Sequence, residues 1–148
     1  LKEAELSFSA AESCTGGVFS AAVTSIPGAS EIFCGGIVAY SPGVKSRILG
    51  VDVKRFSGEE VYSPECALAL ANGVRSACQS DVAVGITGVA GPDGGTERYP
   101  IGSVSIAVVG LGKEAAELFH YEGTREEIRR EACVDALRLV HLLVSKSS

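Results

Sequence analysis

Short apolar runs bounded by glycine, proline and serine recur along the chain and predict β-strands. The runs are too short for the usual helix, and valine and isoleucine are frequent in several of them. The predicted strands are residues 6–11, 33–40, 81–87, 101–109 and 115–121.

Between these strands, apolar residues recur at helical spacing and the segments begin with helix-capping residues. Residues 18–26 form a small-residue helix that is stopped by Pro27 and Gly28. Ser41 and Ser63 are each followed by proline, which is a common start of a helix. Thr124 and the glutamate three residues later form a capping box, which predicts a last helix extending to about residue 144.

This order of elements predicts a single domain over residues 1–148, with a three-layer α/β/α sandwich around a five-stranded mixed sheet. The first two strands should be parallel because a helix joins them. The last three should form a meander in which the fourth strand is antiparallel to the others. In such sheets ligands bind at the carboxyl ends of the parallel strands.

Composition excludes several classes of protein. The 148 residues are 46% hydrophobic and 21% charged, as in a globular protein, and the net charge of −5 argues against a nucleic-acid surface. No apolar stretch approaches the length of about 18 residues needed to cross a membrane. Five cysteines without a CxxC pair predict reduced thiols in a cytoplasmic protein. His120 and His141 have no partners at zinc spacing, so we predict no metal site.

Glycine is the unusual component, with 18 residues in the chain. Many of them lie in segments that directly follow predicted strands. Because the carboxyl ends of parallel strands meet at one edge of a sheet, these polar loops should converge on one crevice. The loops are ESCTGG, AYSPGVK and TGVAGPDGG.

The ESCTGG loop places Ser13 and Thr15 at a strand-to-helix turn, where Gly16 and Gly17 let other backbone approach closely. The unpaired N–H groups of a helix N-terminus suit a phosphate or a developing oxyanion. The plainer alternative is a helix cap with flexible glycines.

In the AYSPGVK loop, Tyr40 ends a strand and Lys45 lies about one turn into the next helix. A desolvated lysine can act as the general base for a serine hydroxyl, and a tyrosine can orient that lysine. The alternative is a solvated lysine beside a core tyrosine.

The third loop concentrates glycines after a strand without matching a phosphate-binding or dinucleotide-binding motif. Thr87, Gly88 and Gly91 are candidates for substrate contacts, although a plain surface loop is the alternative. Arg125 opens the last helix and is placed to reach a phosphate. Arg129 and Arg130 fit a solvated helix face.

Taken together, these segments resemble the CinA C-terminal domain family, whose characterised members are nicotinamide-nucleotide amidases. The resemblance covers nearly the whole chain, and the pair AESCTGG and TGVAGPDGG is highly specific. The matching stretches are AESCTGG, GGIVAYSPGVKSRILGV, SPECALALANGVR, ITGVAGPDGGT, PIGSVSIAV and GTREEIRREACVDAL.

The resemblance implies a hydrolase that converts nicotinamide mononucleotide to nicotinate mononucleotide and ammonia in pyridine-nucleotide recycling. It implies Ser13 as the nucleophile, Tyr40 and Lys45 as the activating pair, and Thr87 and Arg125 as substrate contacts. No metal or redox cofactor is required. A homodimer is an expectation from the family.

Three positions depart from the family pattern. Pro42 stands in place of an asparagine, Glu60 in place of a glycine, and Tyr99 in place of a lysine. The loss of a lysine at position 99 predicts weaker contacts to the substrate phosphate or to a partner subunit.

Two alternatives to the nucleotide amidase stay open. One is a catalytically silent nucleotide-binding or regulatory module, which would follow if Ser13 and Lys45 pointed apart. The other is an amidase for a different amide, which a remote Arg125 would favour.

Overall fold

The computed structural model describes residues 1–146 and contains five strands and four α-helices in a mixed α/β order. Three short 3₁₀ helices lie between them. The strands are β1 (Phe8–Glu12), β2 (Phe33–Val38), β3 (Val82–Gly88), β4 (Ser103–Gly110) and β5 (Lys113–His120). The α-helices are α1 (Val18–Thr24), α2 (Pro42–Leu49), α3 (Pro64–Cys78) and α4 (Arg125–Ser145), and the 3₁₀ helices are Lys2–Ala4, Ala29–Glu31 and Gly58–Tyr62.

The five strands form one sheet in the order β2-β1-β3-β4-β5. β1 pairs in parallel with both β2 and β3, whereas β4 is antiparallel to β3 and to β5. The predicted mixed sheet with one antiparallel strand is therefore confirmed. The chain passes from β1 to β2 on one side and to β3 on the other, so the carboxyl ends of these three strands meet at a topological switch point.

The two faces of the sheet carry side chains of different size. On the face that packs against α1 and α4, β3 presents Val82, Val84 and Ile86. On the face that packs against α2 and α3, it presents Ala83 and Gly85. A side chain at Gly85 would collide with the backbone of Ala67 and Ala71, so its absence lets α3 approach the sheet closely.

The helix caps follow the sequence. Ser41 Oγ accepts a hydrogen bond from the Val44 N–H group at 3.3 Å, and Ser63 Oγ accepts one from the Cys66 N–H group at 3.1 Å. At the start of α4 the capping box of Thr124 is complete.

The prediction placed the boundaries of β4 and β5 two residues off at their starts. Gly102, at a φ of 95°, delays β4 until Ser103. Leu111 and Gly112 both have positive φ, of 56° and 72°, and form a two-residue hairpin that lets β5 begin at Lys113.

Candidate active site

The loops after β1, β2 and β3 converge on one cavity of about 310 Å³. Arg125 at the start of α4 and the 3₁₀ helix Gly58–Tyr62 complete its wall. The residues that line it are Ser13, Cys14, Tyr40, Pro42, Lys45, Val61, Tyr62, Thr87, Gly88, Val89, Ala90, Gly91, Asp93, Gly94 and Arg125.

Ser13 is the first residue after β1, and its side chain is nearly buried, at 8% exposure. Its N–H group donates to the carbonyl of Ile86 at 3.0 Å, and its own carbonyl accepts from the N–H group of Gly16 at 3.0 Å. These bonds attach the serine to β3 and close the turn that follows. The N–H groups of Cys14 and Thr15, in the same turn, donate to no backbone acceptor among residues 1–146.

The start of α1 does not offer the open anion site that the sequence suggested. Glu12, the fully buried last residue of β1, accepts hydrogen bonds there through both carboxylate oxygens. Oε1 accepts from the N–H groups of Gly17 at 3.2 Å and Phe19 at 2.9 Å, and Oε2 accepts from the N–H group of Ser20 at 2.9 Å and its hydroxyl at 2.7 Å. The carboxylate thereby occupies the position that a bound anion would take.

Arg129 fixes the other side of the Ser13 turn. Its guanidinium donates to the carbonyls of Cys14 at 3.1 Å and Thr15 at 2.9 Å. The interpretation of Arg129 as a solvated residue on a helix face is therefore wrong, because its guanidinium binds the backbone of the Ser13 turn. It is right for Arg130, which forms an exposed ion pair with Glu126 at 2.8 Å.

Lys45 is buried, at 4% exposure, and lines the cavity from the first turn of α2. Burial lowers the pKa of its ammonium group, outweighing the opposite effect of the Cys66 and Cys14 thiols. Neither Lys45 Nζ nor Ser13 Oγ forms a hydrogen bond with any described residue, so the two groups share the cavity without a hydrogen bond between them.

Tyr40 and Arg125 meet at the mouth of the cavity. Tyr40 is 58% exposed, and its hydroxyl accepts a hydrogen bond from Arg125 at 3.3 Å. A second guanidinium nitrogen of Arg125 donates to the carbonyl of Gly91 at 2.6 Å. Arg125 thus joins the second and third loops at the rim, and its charge faces the cavity without an acidic partner in the described part of the chain.

The hydroxyl of Thr87 supports the cavity wall. It donates to the carbonyl of Val61 at 2.7 Å, and in the same way Ser105 donates to the carbonyl of Tyr62 at 2.6 Å. These two bonds attach the 3₁₀ helix to β3 and β4. Thr87 lines the cavity, but its hydroxyl donates its proton to Val61 and has none left to donate to a ligand.

Gly88 is required at the end of β3 for a steric reason. A side chain there would collide with the carbonyl of Ser103 and come within 2.7 Å of the Cα atom of Val104. A larger residue would push the third loop away from the sheet and away from Ser13. Gly91, at a φ of 76°, continues this loop around the cavity.

The three departures from the family pattern lie in or beside the cavity wall. Pro42 lines the cavity at the start of α2, and Glu60 pairs with Arg98 at 2.7 Å. Tyr99 is 2% exposed and packs edge-on against Tyr62, with ring centroids 6.2 Å apart. Its buried side chain packs against the 3₁₀ helix of the cavity wall and does not itself line the cavity.

Most of the predicted site residues lie at the cavity: Ser13, Tyr40, Lys45, Thr87, Gly88, Gly91 and Arg125. Thr15, Gly16 and Gly17 do not line it, because the turn carries them away towards Arg129 and Glu12. Tyr62 and Asp93 also line the cavity, although neither was predicted from the sequence. The only signal in the sequence was the charge of Asp93 within a glycine-rich loop.

Within residues 1–146 no cluster of histidine, cysteine and acidic side chains could hold a metal ion. No α-helix in this part of the chain is long and apolar enough to cross a membrane. His120, the last residue of β5, lies 3.4 Å from the hydroxyl of Ser103, outside the cavity.

Comparison with known proteins relates the chain to one family. The CinA C-terminal domain family matches residues 1–144. A "CinA-like protein" of Citrifermentans bemidjiense is 42% identical over 93% of the chain, and a "putative competence-damage inducible protein" of Moorella thermoacetica is 42% identical over 91%. The chain spans 33% of the length of each of these relatives.

Solved structures agree with this relation. The competence/damage-inducible protein CihA of Agrobacterium tumefaciens has a TM-score of 0.91 and 34% identity, with 95% of this chain and 87% of that chain covered. A CinA superfamily protein of Escherichia coli has a TM-score of 0.90 and 28% identity over 95% of this chain and 82% of its own. The chain belongs to the CinA C-terminal domain family.

Proposed function

We propose that the chain is a nicotinamide-nucleotide amidase, which hydrolyses the carboxamide of nicotinamide mononucleotide to nicotinate mononucleotide and ammonia. The observation that carries the proposal is the shared cavity of Ser13 and the buried Lys45, with Arg125 at its mouth. The serine can act as the nucleophile, the lysine as its base, and the arginine as the anchor of the substrate phosphate.

In the first step the hydroxyl oxygen of Ser13 attacks the carboxamide carbon and its proton passes to the amine of Lys45. A neutral lysine can accept that proton, and burial favours the neutral form. Since Ser13 and Lys45 form no hydrogen bond in the described structure, the transfer requires a closer approach in the substrate complex, as is common for catalytic pairs.

The negative charge that develops on the carboxamide oxygen needs hydrogen-bond donors near Ser13. The N–H group of Cys14 is suited to this, because Cys14 directly follows the nucleophile, lines the cavity and has no backbone acceptor for its N–H group in the described chain. Arg129 holds the carbonyls of Cys14 and Thr15, which keeps the turn in place.

Collapse of the intermediate breaks the carbon–nitrogen bond, and the leaving nitrogen takes the proton from Lys45 to depart as ammonia. Water then attacks the acyl-serine ester, giving its proton back through Lys45 and restoring the Ser13 hydroxyl. Arg125 would bind the phosphate at the cavity mouth, and its bond to Tyr40 fixes the guanidinium there.

The test is the release of ammonia from nicotinamide mononucleotide by the wild-type chain and by Ser13→Ala. The matched control is Ser76→Ala, at an exposed serine of α3 outside the cavity. We expect wild type and Ser76→Ala to be equally active, and Ser13→Ala to lose activity while keeping its circular dichroism spectrum. Equal activity of Ser13→Ala and wild type would refute the serine mechanism.

A silent nucleotide-binding module is the second candidate, favoured by the lack of a hydrogen bond between Ser13 and Lys45. It predicts that nicotinamide mononucleotide binds, measured by calorimetry, with no ammonia released by pure wild-type protein.

A further inference from the structure

The third loop leaves the sheet after β3 and returns to it at β4, and backbone hydrogen bonds close its base. The N–H group of Val89 donates to the carbonyl of Ser103 at 2.8 Å, and the N–H group of Gly102 donates to the carbonyl of Val89 at 2.8 Å. Between these bonds, residues 90–101 contain no helix or strand. The position of the loop over the cavity therefore depends on contacts outside the sheet.

Arg98 and Tyr99 attach the far part of this loop to the 3₁₀ helix Gly58–Tyr62. Arg98 donates to the carboxylate of Glu60 at 2.7 Å, and its guanidinium lies over the ring of Tyr99, 5.0 Å from the centroid. The ring of Tyr99 is buried and packs edge-on against Tyr62. These four side chains, Glu60, Tyr62, Arg98 and Tyr99, are called the clamp below.

Thr96 gives this part of the loop its shape. Its N–H group donates to the carbonyl of Tyr99 at 2.9 Å, and its hydroxyl oxygen accepts from the N–H group of Tyr99 at 3.0 Å. The same hydroxyl donates to the carboxylate of Glu59 at 2.7 Å. These bonds close residues 96–99 into a turn, so the side chains of the turn reach the 3₁₀ helix together.

The 3₁₀ helix is itself held by the sheet. Thr87 of β3 donates to the carbonyl of Val61, and Ser105 of β4 donates to the carbonyl of Tyr62. The clamp therefore connects the third loop to the sheet through the 3₁₀ helix.

Near its start, the third loop holds Arg125. The carbonyl of Gly91 accepts a hydrogen bond from the guanidinium at 2.6 Å. Gly91 is folded closely against the rest of the loop, because a side chain there would come within 2.6 Å of the side chain of Ile101. A displacement of the loop would therefore move the acceptor that orients Arg125 at the cavity mouth.

We propose that the clamp positions Arg125, and that Tyr99 is its main positioning residue because its side chain is buried. The clamp holds the third loop where the Gly91 carbonyl directs the guanidinium towards the substrate phosphate. The inference rests on the proposed function, in which Arg125 binds that phosphate. It also gives one role to two departures from the family pattern, since Glu60 and Tyr99 both belong to the clamp.

The test is a double-mutant cycle of Tyr99→Ala and Arg125→Ala, in which ammonia release gives the KM and kcat for nicotinamide mononucleotide. Tyr99→Ala should raise the KM about tenfold with a smaller change in kcat, because the guanidinium is displaced. When Arg125 is already alanine, the same substitution should raise the KM less than about twofold. Tyr99→Phe keeps the ring and should retain most of the affinity. An equal rise of the KM in both backgrounds would mean that Tyr99 acts on the cavity without Arg125, and would overturn the inference.

A second measurement needs no substrate. The wild-type chain and the Tyr99 variants are treated with phenylglyoxal, which modifies arginine side chains, and labelling is read by peptide mass spectrometry. We expect Arg125 to be labelled severalfold faster in Tyr99→Ala, with no change at the exposed Arg47. The matched control is Phe33→Ala, which removes a partly buried ring from the start of β2, at the opposite end of the sheet. It should leave the labelling of Arg125 unchanged.

Arg98→Ala keeps the test valid if Tyr99→Ala does not fold, since the Arg98 side chain is exposed. It should speed the labelling of Arg125 and raise the KM by about two- to fivefold, because exposed ion pairs contribute little. Unchanged labelling of Arg125 in Arg98→Ala and in folded Tyr99→Ala would overturn the inference.

Failure of the proposed function looks different. In that case the labelling of Arg125 accelerates as expected while neither the wild-type chain nor any variant releases ammonia. The role of the clamp towards Arg125 then stands and the amidase assignment falls.

Discussion

Replacing Glu12 with glutamine should strongly destabilise the fold, although the two side chains have nearly the same shape. The carboxylate of Glu12 is fully buried and accepts from four donors at the start of α1. A glutamine keeps one oxygen, which can replace Oε1 and accept from Gly17 and Phe19. Its amide nitrogen is a donor and would face the N–H group and hydroxyl of Ser20.

The magnitude follows from the bonds that are lost. Hydrogen bonds to a charged acceptor contribute about 1.5–3 kcal/mol each. Loss of the two bonds from Ser20, at 2.9 and 2.7 Å, therefore predicts a decrease of about 3–6 kcal/mol in the free energy of unfolding. This is a large part of the total stability of about 5–15 kcal/mol that a single domain has. If the Ser20 hydroxyl rotates to accept a hydrogen bond from the glutamine amide, the decrease in the free energy of unfolding should lie at the lower end of this range.

The assay is urea unfolding followed by circular dichroism at neutral pH, with the wild-type chain beside both variants. The control is Glu114→Gln, at an exposed glutamate of the edge strand β5, which should change the stability by less than about 0.5 kcal/mol. An unfolding midpoint of Glu12→Gln equal to that of Glu114→Gln, with an unchanged slope, would refute the view that the carboxylate stabilises α1.

Three further predictions concern the cavity and the buried thiols. Arg125→Ala should raise the KM for nicotinamide mononucleotide at least about tenfold with a smaller change in kcat, because a phosphate contact is made in the ground state as well; steady-state kinetics measure both. Lys45→Met should abolish ammonia release yet raise the urea midpoint at pH 7, since it removes a buried amine and keeps the packing; a lower midpoint would contradict this. Burial raises the pKa of the Cys133 thiol from 9.0 to about 12. The thiol therefore ionises at a lower pH in the unfolded chain than in the folded chain, and the free energy of unfolding must decrease as the pH rises from about 9 to 12. In reducing buffer, Cys133→Ala should lose less stability than the wild type between pH 8 and 10.

The sequence predicted the order and type of the main elements because local signals determine them. Capping serines followed by proline, the capping box of Thr124 and the apolar runs each act within a few residues. The convergence of the three loops followed from parallel pairing alone. These features needed no knowledge of which side chains touch.

The contacts that complete the site could not be predicted, because they join residues far apart in the chain. Arg129 reaches the carbonyls of Cys14 and Thr15 from the last helix, and the Thr87 hydroxyl is directed to Val61. The 3₁₀ helix that carries Tyr62 lies in a segment without strong periodicity. An arginine on a helix and a threonine on a strand have the same sequence signal whether they bind solvent, backbone or ligand.

The fold keeps the Glu12 carboxylate and the Lys45 amine on opposite faces of the sheet, although both lie close to Ser13 in the structure or the sequence. An ion pair between them would hold Lys45 as an ammonium ion and remove the base that the proposed mechanism requires. The alternation of β1 prevents it, because Ala11 faces α2 and α3 whereas Ala10, and with it Glu12, faces α1 and α4. The carboxylate then accepts from the four donors at the start of α1, whereas Lys45 in α2 lies on the face of the sheet that carries Cys66. A shift of β1 by one residue would reverse this arrangement, so the register of β1 determines which face of the sheet carries the carboxylate as well as how the core packs.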